Sequence, residues 1–355
     1  MKTIFLNYAL LLVLAVFTNC NSEAVPLETE EVAEEKKDDV NEGDDNNNSD
    51  DTTSIVAEHG QLKVLDGKIV DKNNEPLQLR GMSFFWSQWI GKYYTPETVK
   101  WLKNDWQATI VRAAMAVEDD GGYITNPEEN KQRVFTVVDA AIEAGIYVII
   151  DWHSHFSLDK VEEAKAFFSE VAKKYKDVPN VIFEPYNEPI NVSWKNDLKP
   201  YHEQVIAAIR AEGNTNLVIC GTRTWSQRVD DVIGNTIDDD NVAYTLHYYA
   251  STHKQDLRNI AQTALNAKIP IFVTEFGVTE ASGNGVIDVE EATTWWTFLD
   301  ENKISWCNWS VADKEENSAA LKPNTSTLGG WGSEDLTQSG TMVREEMRAK
   351  NPKFN

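Results

Sequence analysis

The sequence predicts an α/β fold, a closed (β/α)8 barrel preceded by a short β-hairpin, and three observations carry that prediction. Eight short apolar, β-branched runs recur, at Leu79 to Phe84, Thr109 to Ala114, Tyr147 to Asp151, Val181 to Tyr186, Leu217 to Gly221, Val242 to His247, Ile271 to Glu275 and Ser305 to Ser310. Amphipathic stretches at helical spacing separate them, for example Glu128 to Ala144, Leu158 to Tyr175 and Asp197 to Glu212. No Gly-rich phosphate loop follows the first run, where Gly81-Met82-Ser83-Phe84-Phe85-Trp86 stands, and this argues against an open doubly wound sheet. Near-continuous apolar strands joined by helical crossovers form a parallel sheet covered on both faces. Eight such repeats in about 270 residues suit closure into a TIM-type barrel.

In chain order, Lys2 precedes an apolar run from Ala9 to Phe17 that ends near Cys20, so residues 1–20 read as a signal peptide too short to remain as a membrane span. Phe17-Thr18-Asn19-Cys20 resembles a bacterial lipoprotein cleavage box, which would make Cys20 the lipidated residue; ordinary signal cleavage is the alternative. Residues 21–58 hold fourteen acidic residues against two lysines, half of the chain's net charge of −24. Such a stretch cannot bury enough apolar surface to offset its conformational entropy and reads as a disordered acidic linker. An acidic stretch behind a lipidated cysteine also resembles surface-export signals of some Gram-negative bacteria.

Residues 59–355 suffice for one large domain with a sizeable core. It opens with the hairpin, Leu62 to Leu65 and Lys68 to Val70 around Asp66-Gly67. No basic arm or patch suggests nucleic acid. Cys220 and Cys307, each inside a predicted strand, give no disulfide framework and read as buried small hydrophobes.

In a barrel the site lies at the carboxyl ends of the strands. The polar and aromatic residues at those ends are Arg112, Asp151-Trp152-His153, Asn187-Glu188-Pro189, Trp225, His247-Tyr248-Tyr249, Glu275-Phe276-Gly277 and Trp309. Glu188 and Glu275, after strands four and seven of the eight, face each other across one mouth. Two such carboxyls are what glycoside hydrolysis needs, one to protonate the leaving oxygen and one to attack or stabilise the anomeric carbon. Asn187 can hold a substrate 2-hydroxyl, and Arg112 and Tyr249 can donate to Glu275 and keep it ionised. His153 and His247 are positioning groups.

Val181-Ile182-Phe183-Glu184-Pro185-Tyr186-Asn187-Glu188-Pro189 together with Thr274-Glu275-Phe276-Gly277 resembles glycoside hydrolase family 5. The likeness runs from about His59 to Lys350. Val111-Arg112-Ala113-Ala114-Met115, Asp151-Trp152-His153, Thr224-Trp225-Ser226-Gln227, His247-Tyr248-Tyr249-Ala250 and Asn308-Trp309-Ser310 with Asp313-Lys314 match its branch of bacterial endo-β-1,4-glucanases (cellulases). The resemblance implies Glu188 as acid/base, Glu275 as nucleophile and Arg112, His153, Asn187, His247 and Tyr249 as support. It implies Trp89, Trp225, Trp309 and Lys314 along the sugar subsites, where flat rings suit the apolar faces of glucose. Two departures touch those subsites: Phe85 stands where relatives carry a histidine, and Ala116 where some carry a tyrosine.

Among other residues, Glu184 reads as a barrel-core carboxylate paired with a base. His59, His155, His202 and His253 read as surface or loop histidines, and Trp295 and Trp296, on a predicted helix, as core packing. Asp151, His153 and His155 lack a completing cluster, so neither a catalytic metal nor another cofactor is expected. The expectation is an exported monomer acting on β-glucan, touching a membrane only through a Cys20 lipid anchor, with retaining carboxyls about 5 to 5.5 Å apart. A β-mannanase, mixed-linkage glucanase or xylanase remains open on the same scaffold, as does a surface glycan-binding lipoprotein without catalysis.

Overall fold

A computed structural model describes residues 54–118 and 120–353. The expected signal peptide, Cys20 and all but the end of the acidic linker lie outside the described residues. Within that expected linker, however, helix Ile55–His59 forms: the Ser54 hydroxyl caps it by accepting from the Ala57 amide, and Ile55 and Val56 are buried. Residues 55–58, which the sequence assigned to the linker, are therefore helical, because two apolar residues find a core to join.

Strands β1 (Lys63–Leu65) and β2 (Lys68–Val70) form the antiparallel hairpin. The barrel strands are β3 (Arg80–Phe84), β4 (Ile110–Ala116), β5 (Tyr147–His153), β6 (Val181–Glu184), β7 (Val218–Cys220), β8 (Val242–Tyr249), β9 (Ile271–Gly277) and β10 (Trp306–Val311). They pair in parallel in chain order, and β10 closes against β3. All but Tyr249 are buried, as expected of strands filled by side chains within and covered by helices without.

Local chemistry sets the helix limits. Thr95 caps Pro96–Asn104, accepting from the Thr98 amide, with proline at the first helical turn. Gly145, at φ 68°, ends Pro127–Ala144 in the left-handed conformation that favours glycine. Asp288 caps Val289–Asn302, whose Trp295 and Trp296 are buried, Trp295 stacking on Tyr248 at 4.0 Å between centroids. Cys220 and Cys307 are free and buried, as the sequence suggests. His202 corrects an expectation: it is fully buried on helix Lys199–Ala211, with Nε2 2.9 Å from the Gly221 carbonyl. The helix was legible, but the face carrying His202 packs on the barrel.

Candidate active site

Side chains alternate across a strand, so every second residue of a barrel strand points inward. Register then stacks the functional groups: Arg112 lies opposite Ser83, Asp151 opposite Glu184, and His247 opposite Glu275. The core of the site is Arg112, fully buried. Its Nε donates to Glu184 Oε2 at 2.8 Å, its Nη2 to Asn187 Oδ1 at 2.6 Å, and its Nη1 to Glu275 Oε2 at 3.2 Å. Asp151 Oδ2 lies 2.9 Å from Nη2. Glu184 is thus the partnered core carboxylate that the sequence suggested.

Glu275 also accepts from the Tyr249 hydroxyl at 2.9 Å, so a donor serves each of its oxygens. Gly277 makes room for this contact, since a Cβ there would sit 2.4 Å from the Tyr249 ring. Glu188 follows β6 by four residues, and its backbone N–H is pinned to the Ser154 carbonyl. Its Oε1 lies 2.9 Å from His247 Nδ1 and its Oε2 lies 3.0 Å from His155 Nε2. One oxygen of Glu188 comes within 4.8 Å of one of Glu275.

The proton pattern around His247 follows from its neighbours. The Thr274 hydroxyl donates to Glu184 Oε1 at 2.6 Å, so it accepts from His247 Nε2 at 2.8 Å. With Nε2 carrying a hydrogen, the contact between Nδ1 and Glu188 Oε1 holds one further proton. Burial alone would lower His247, yet the Glu188 hydrogen bond and the nearby Glu275 charge outweigh it and raise the imidazole. Burial would raise Glu188, but His155 and His247 hold it below the ordinary carboxylate range. Burial and the Glu188 charge push Glu275 up, with His247 and Arg112 acting against them. Burial lifts Asp151 to about 7 and, with Arg112, drives His153 down to about 3. His153 is therefore neutral, with Nδ1 against Asp151 Oδ2 at 2.7 Å.

Around the carboxyls lies a cleft of about 650 Å³ whose walls include Trp89, Trp225, Trp309 and Lys314, all placed there by the sequence reading. Trp309 stacks on His153 at 5.1 Å, and Phe85 lies 5.1 Å from Trp309 with Lys314 Nζ 5.2 Å above its ring. Phe85 thus gives this side of the cleft an apolar wall. Trp89 follows β3 and Trp225 follows β7, four strands apart in a ring of eight, so the two rings face across the mouth. Trp225 is 43% exposed and sits in a turn where Thr224, Trp225 and Ser226 all have positive φ. That conformation is strained for such residues. Two contacts hold it: the Trp225 amide donates to Pro189 O at 3.0 Å, and the Ser226 hydroxyl to Asn187 O at 2.7 Å.

The expectation of His155 as a plain loop histidine is overturned, since its ring meets Glu188. His253 also faces the cleft, its Nδ1 accepting from the Tyr249 amide at 2.9 Å, and His59 pairs with Asp71. Trp86, not singled out from sequence, stands edge-on to His153 at 4.3 Å. Asp151, His153 and His155 do not converge as metal ligands: the first two pair together while His155 turns to Glu188. Among the described residues, Glu188, His247 and Glu275 do have ligand-like spacing. Their hydrogen bonds to one another's neighbours, Arg112, Tyr249, His155 and Thr274, account for that convergence as an acid/base array.

Comparison with known proteins agrees with this geometry. A family profile described as Cellulase (glycosyl hydrolase family 5) matches residues 70–315. Endoglucanase A of Evansella cellulosilytica is 47% identical over 279 residues, covering 77% of this chain; the chain spans only 57% of that relative's length. A solved structure from Cytophaga hutchinsonii superposes with a TM-score of 0.83 at 52% identity, covering 84% of this chain and 97% of the other. The catalytic domain of Thermobifida fusca endoglucanase Cel5A, solved with cellotetraose, gives a TM-score of 0.80 at 32% identity, covering 83% and 99%.

Proposed function

This chain belongs to the cellulase family, glycosyl hydrolase family 5, and from that premise we propose that it is a retaining endo-β-1,4-glucanase. The observation that carries the reading is the placement of Glu275, held on both oxygens by Arg112 and Tyr249 and facing Glu188 with oxygens within 4.8 Å. Retaining enzymes keep their carboxyls about 5–5.5 Å apart, whereas inverting ones leave about 6.5–9.5 Å for a water. In the first step Glu275 attacks the anomeric carbon while Glu188 protonates the departing glycosidic oxygen. In the second, Glu188 takes a proton from water as that water displaces Glu275. Asn187 Nδ2, buried and without a hydrogen-bond partner among the described residues, is the donor available to a substrate 2-hydroxyl. Aromatic rings on opposite sides of the mouth suit a chain that runs through the cleft, which is endo cleavage.

A hydrolysis panel of carboxymethyl-cellulose, barley β-glucan, glucomannan and xylan tests the reading. Activity led by the two glucans supports it; activity only on mannan or xylan replaces the substrate class, and none on any polymer favours the glycan-binding reading. Trp225→Ala is expected to raise KM for cello-oligosaccharides by roughly 5–10-fold with little change in kcat, equal to about 1–1.5 kcal/mol of stacking. An unchanged KM would remove Trp225 from the subsites.

The N-terminal residues support a further proposal, export with a lipid on Cys20. Metabolic labelling with palmitate is expected to mark the wild type and not Cys20→Ser; equal labelling of both, or of neither, excludes that anchor.

A further inference from the structure

We infer that His155 is a positioning residue for Glu188 and stores the proton that Glu188 delivers to the leaving group; the inference rests on the hydrolase reading above. The two oxygens of Glu188 have different partners. Oε1 is committed to His247, whose ring is buried and locked at its other nitrogen by Thr274. A proton in that contact faces the barrel wall. The proton for the glycosidic oxygen must therefore sit on Oε2, where the hydrogen-bond partner among the described residues is His155 Nε2 at 3.0 Å.

His155 suits that task by its attachment and its access to water. Its backbone carbonyl accepts from the Tyr186 hydroxyl at 2.9 Å. The flanking loop is clamped by Glu118, which accepts from the Ser154 hydroxyl and, at 3.2 Å, from the Phe156 amide. The ring lines the cleft, its side chain is 30% exposed, and Nδ1 has no protein hydrogen-bond partner among the described residues. A proton can thus enter from water at Nδ1 and leave at Nε2.

The charged and titratable groups around the ring come from every neighbouring strand end. Glu118 follows β4, Asp151 and His153 end β5, Glu188 follows β6, His247 lies on β8 and Glu275 on β9. Burial opposes a charge on His155, but the Glu188 hydrogen bond, then the Glu188, Glu275 and Glu118 charges, raise it above its ordinary value. In the first step the proton passes from Nε2 to Glu188 Oε2 and on to the glycosidic oxygen, as the C1–O bond breaks and the C1–Glu275 bond forms. His155 is left neutral. In the second step Glu188 takes the proton of the attacking water, the C1–Glu275 bond breaks, and His155 recovers the proton.

His155→Gln keeps a donor beside Glu188 but cannot carry the proton, so it separates storage from simple clamping. For cellopentaose, kcat/KM of this variant is expected to fall roughly 10-fold at neutral pH, with the alkaline limb of its pH profile moving down by about one unit. For 2,4-dinitrophenyl β-cellobioside, whose leaving group needs no proton, kcat/KM should change less than about twofold. An unmoved alkaline limb, or equal losses on both substrates, overturns the proposal. An NMR titration of the His155 ring gives a readout independent of turnover: its midpoint should fall in Glu188→Gln, and an unchanged midpoint also overturns it. Failure of the wild type on both substrates would instead reject the hydrolase reading, and the proton store would fall with it, whatever the titration shows.

Discussion

Glu275→Gln is expected to lower kcat on every substrate of the wild type by a factor on the order of 10⁴ or more, the scale at which removal of a nucleophile is felt. An amide has no charge with which to attack the anomeric carbon, and Arg112 and Tyr249 cannot supply one. Fold and substrate binding should survive, because the change keeps the shape and removes one member of a like-charge pair. The test has two parts: steady-state rates, and mass spectrometry after incubation with a 2-deoxy-2-fluoro-cellobioside bearing a good leaving group. The wild type should gain the mass of one 2-deoxy-2-fluorocellobiosyl group at Glu275, and the variant none. Activity within tenfold of wild type, or an adduct on another residue, would reject Glu275 as nucleophile.

Arg112→Ala should be the most damaging single change to stability. The guanidinium is fully buried among Glu184, Asp151 and Glu275, so its removal leaves carboxylates with no counter-charge and costs about 3–5 kcal/mol. The loss should depend on pH with a definite sign. Without Arg112 the native carboxyl pKa values rise further above those of the unfolded chain, which lie near 4. Between those values the native state binds more protons than the unfolded one, so stability falls as pH rises. Asp151, already at about 7 with Arg112 present, sets the minimum upper reach of that window. Denaturant melts at pH 5 and pH 8 should therefore show the larger deficit relative to wild type at pH 8. A deficit independent of pH would mean that lost packing, not uncompensated charge, is the cause.

How much of the site was legible depends on where each residue stands relative to a strand. Arg112, His247 and Glu275 lie within the predicted strands, while His153 and Tyr249 stand two residues past predicted ends, on strands that the structure extends through them, so the period of two carries all five. Their presence in one mouth follows from the pattern. Trp86 and His155 lie past the ends of β3 and β5, where no period constrains direction. His155 reaches Glu188 because Glu118, Ser154 and Tyr186 hold its loop, and none of those contacts is local enough to read from a motif. Trp225 was legible as a candidate by position; the left-handed turn presenting it was not, since Thr224-Trp225-Ser226 contains no glycine to announce positive φ.

The amino-acid sequence by itself determined the eight strands in order, the residues gathered at their carboxyl ends, and two glutamates in one mouth, because these follow from short-range periodicity and from residue type. Only the tertiary structure decided which donor meets which oxygen: Arg112 and Tyr249 on Glu275, His247 and His155 on Glu188. The physical reason is that a hydrogen bond is decided within a few tenths of an ångström. Barrel closure, strand stagger and loop path set that distance together, while the sequence pattern specifies only the face.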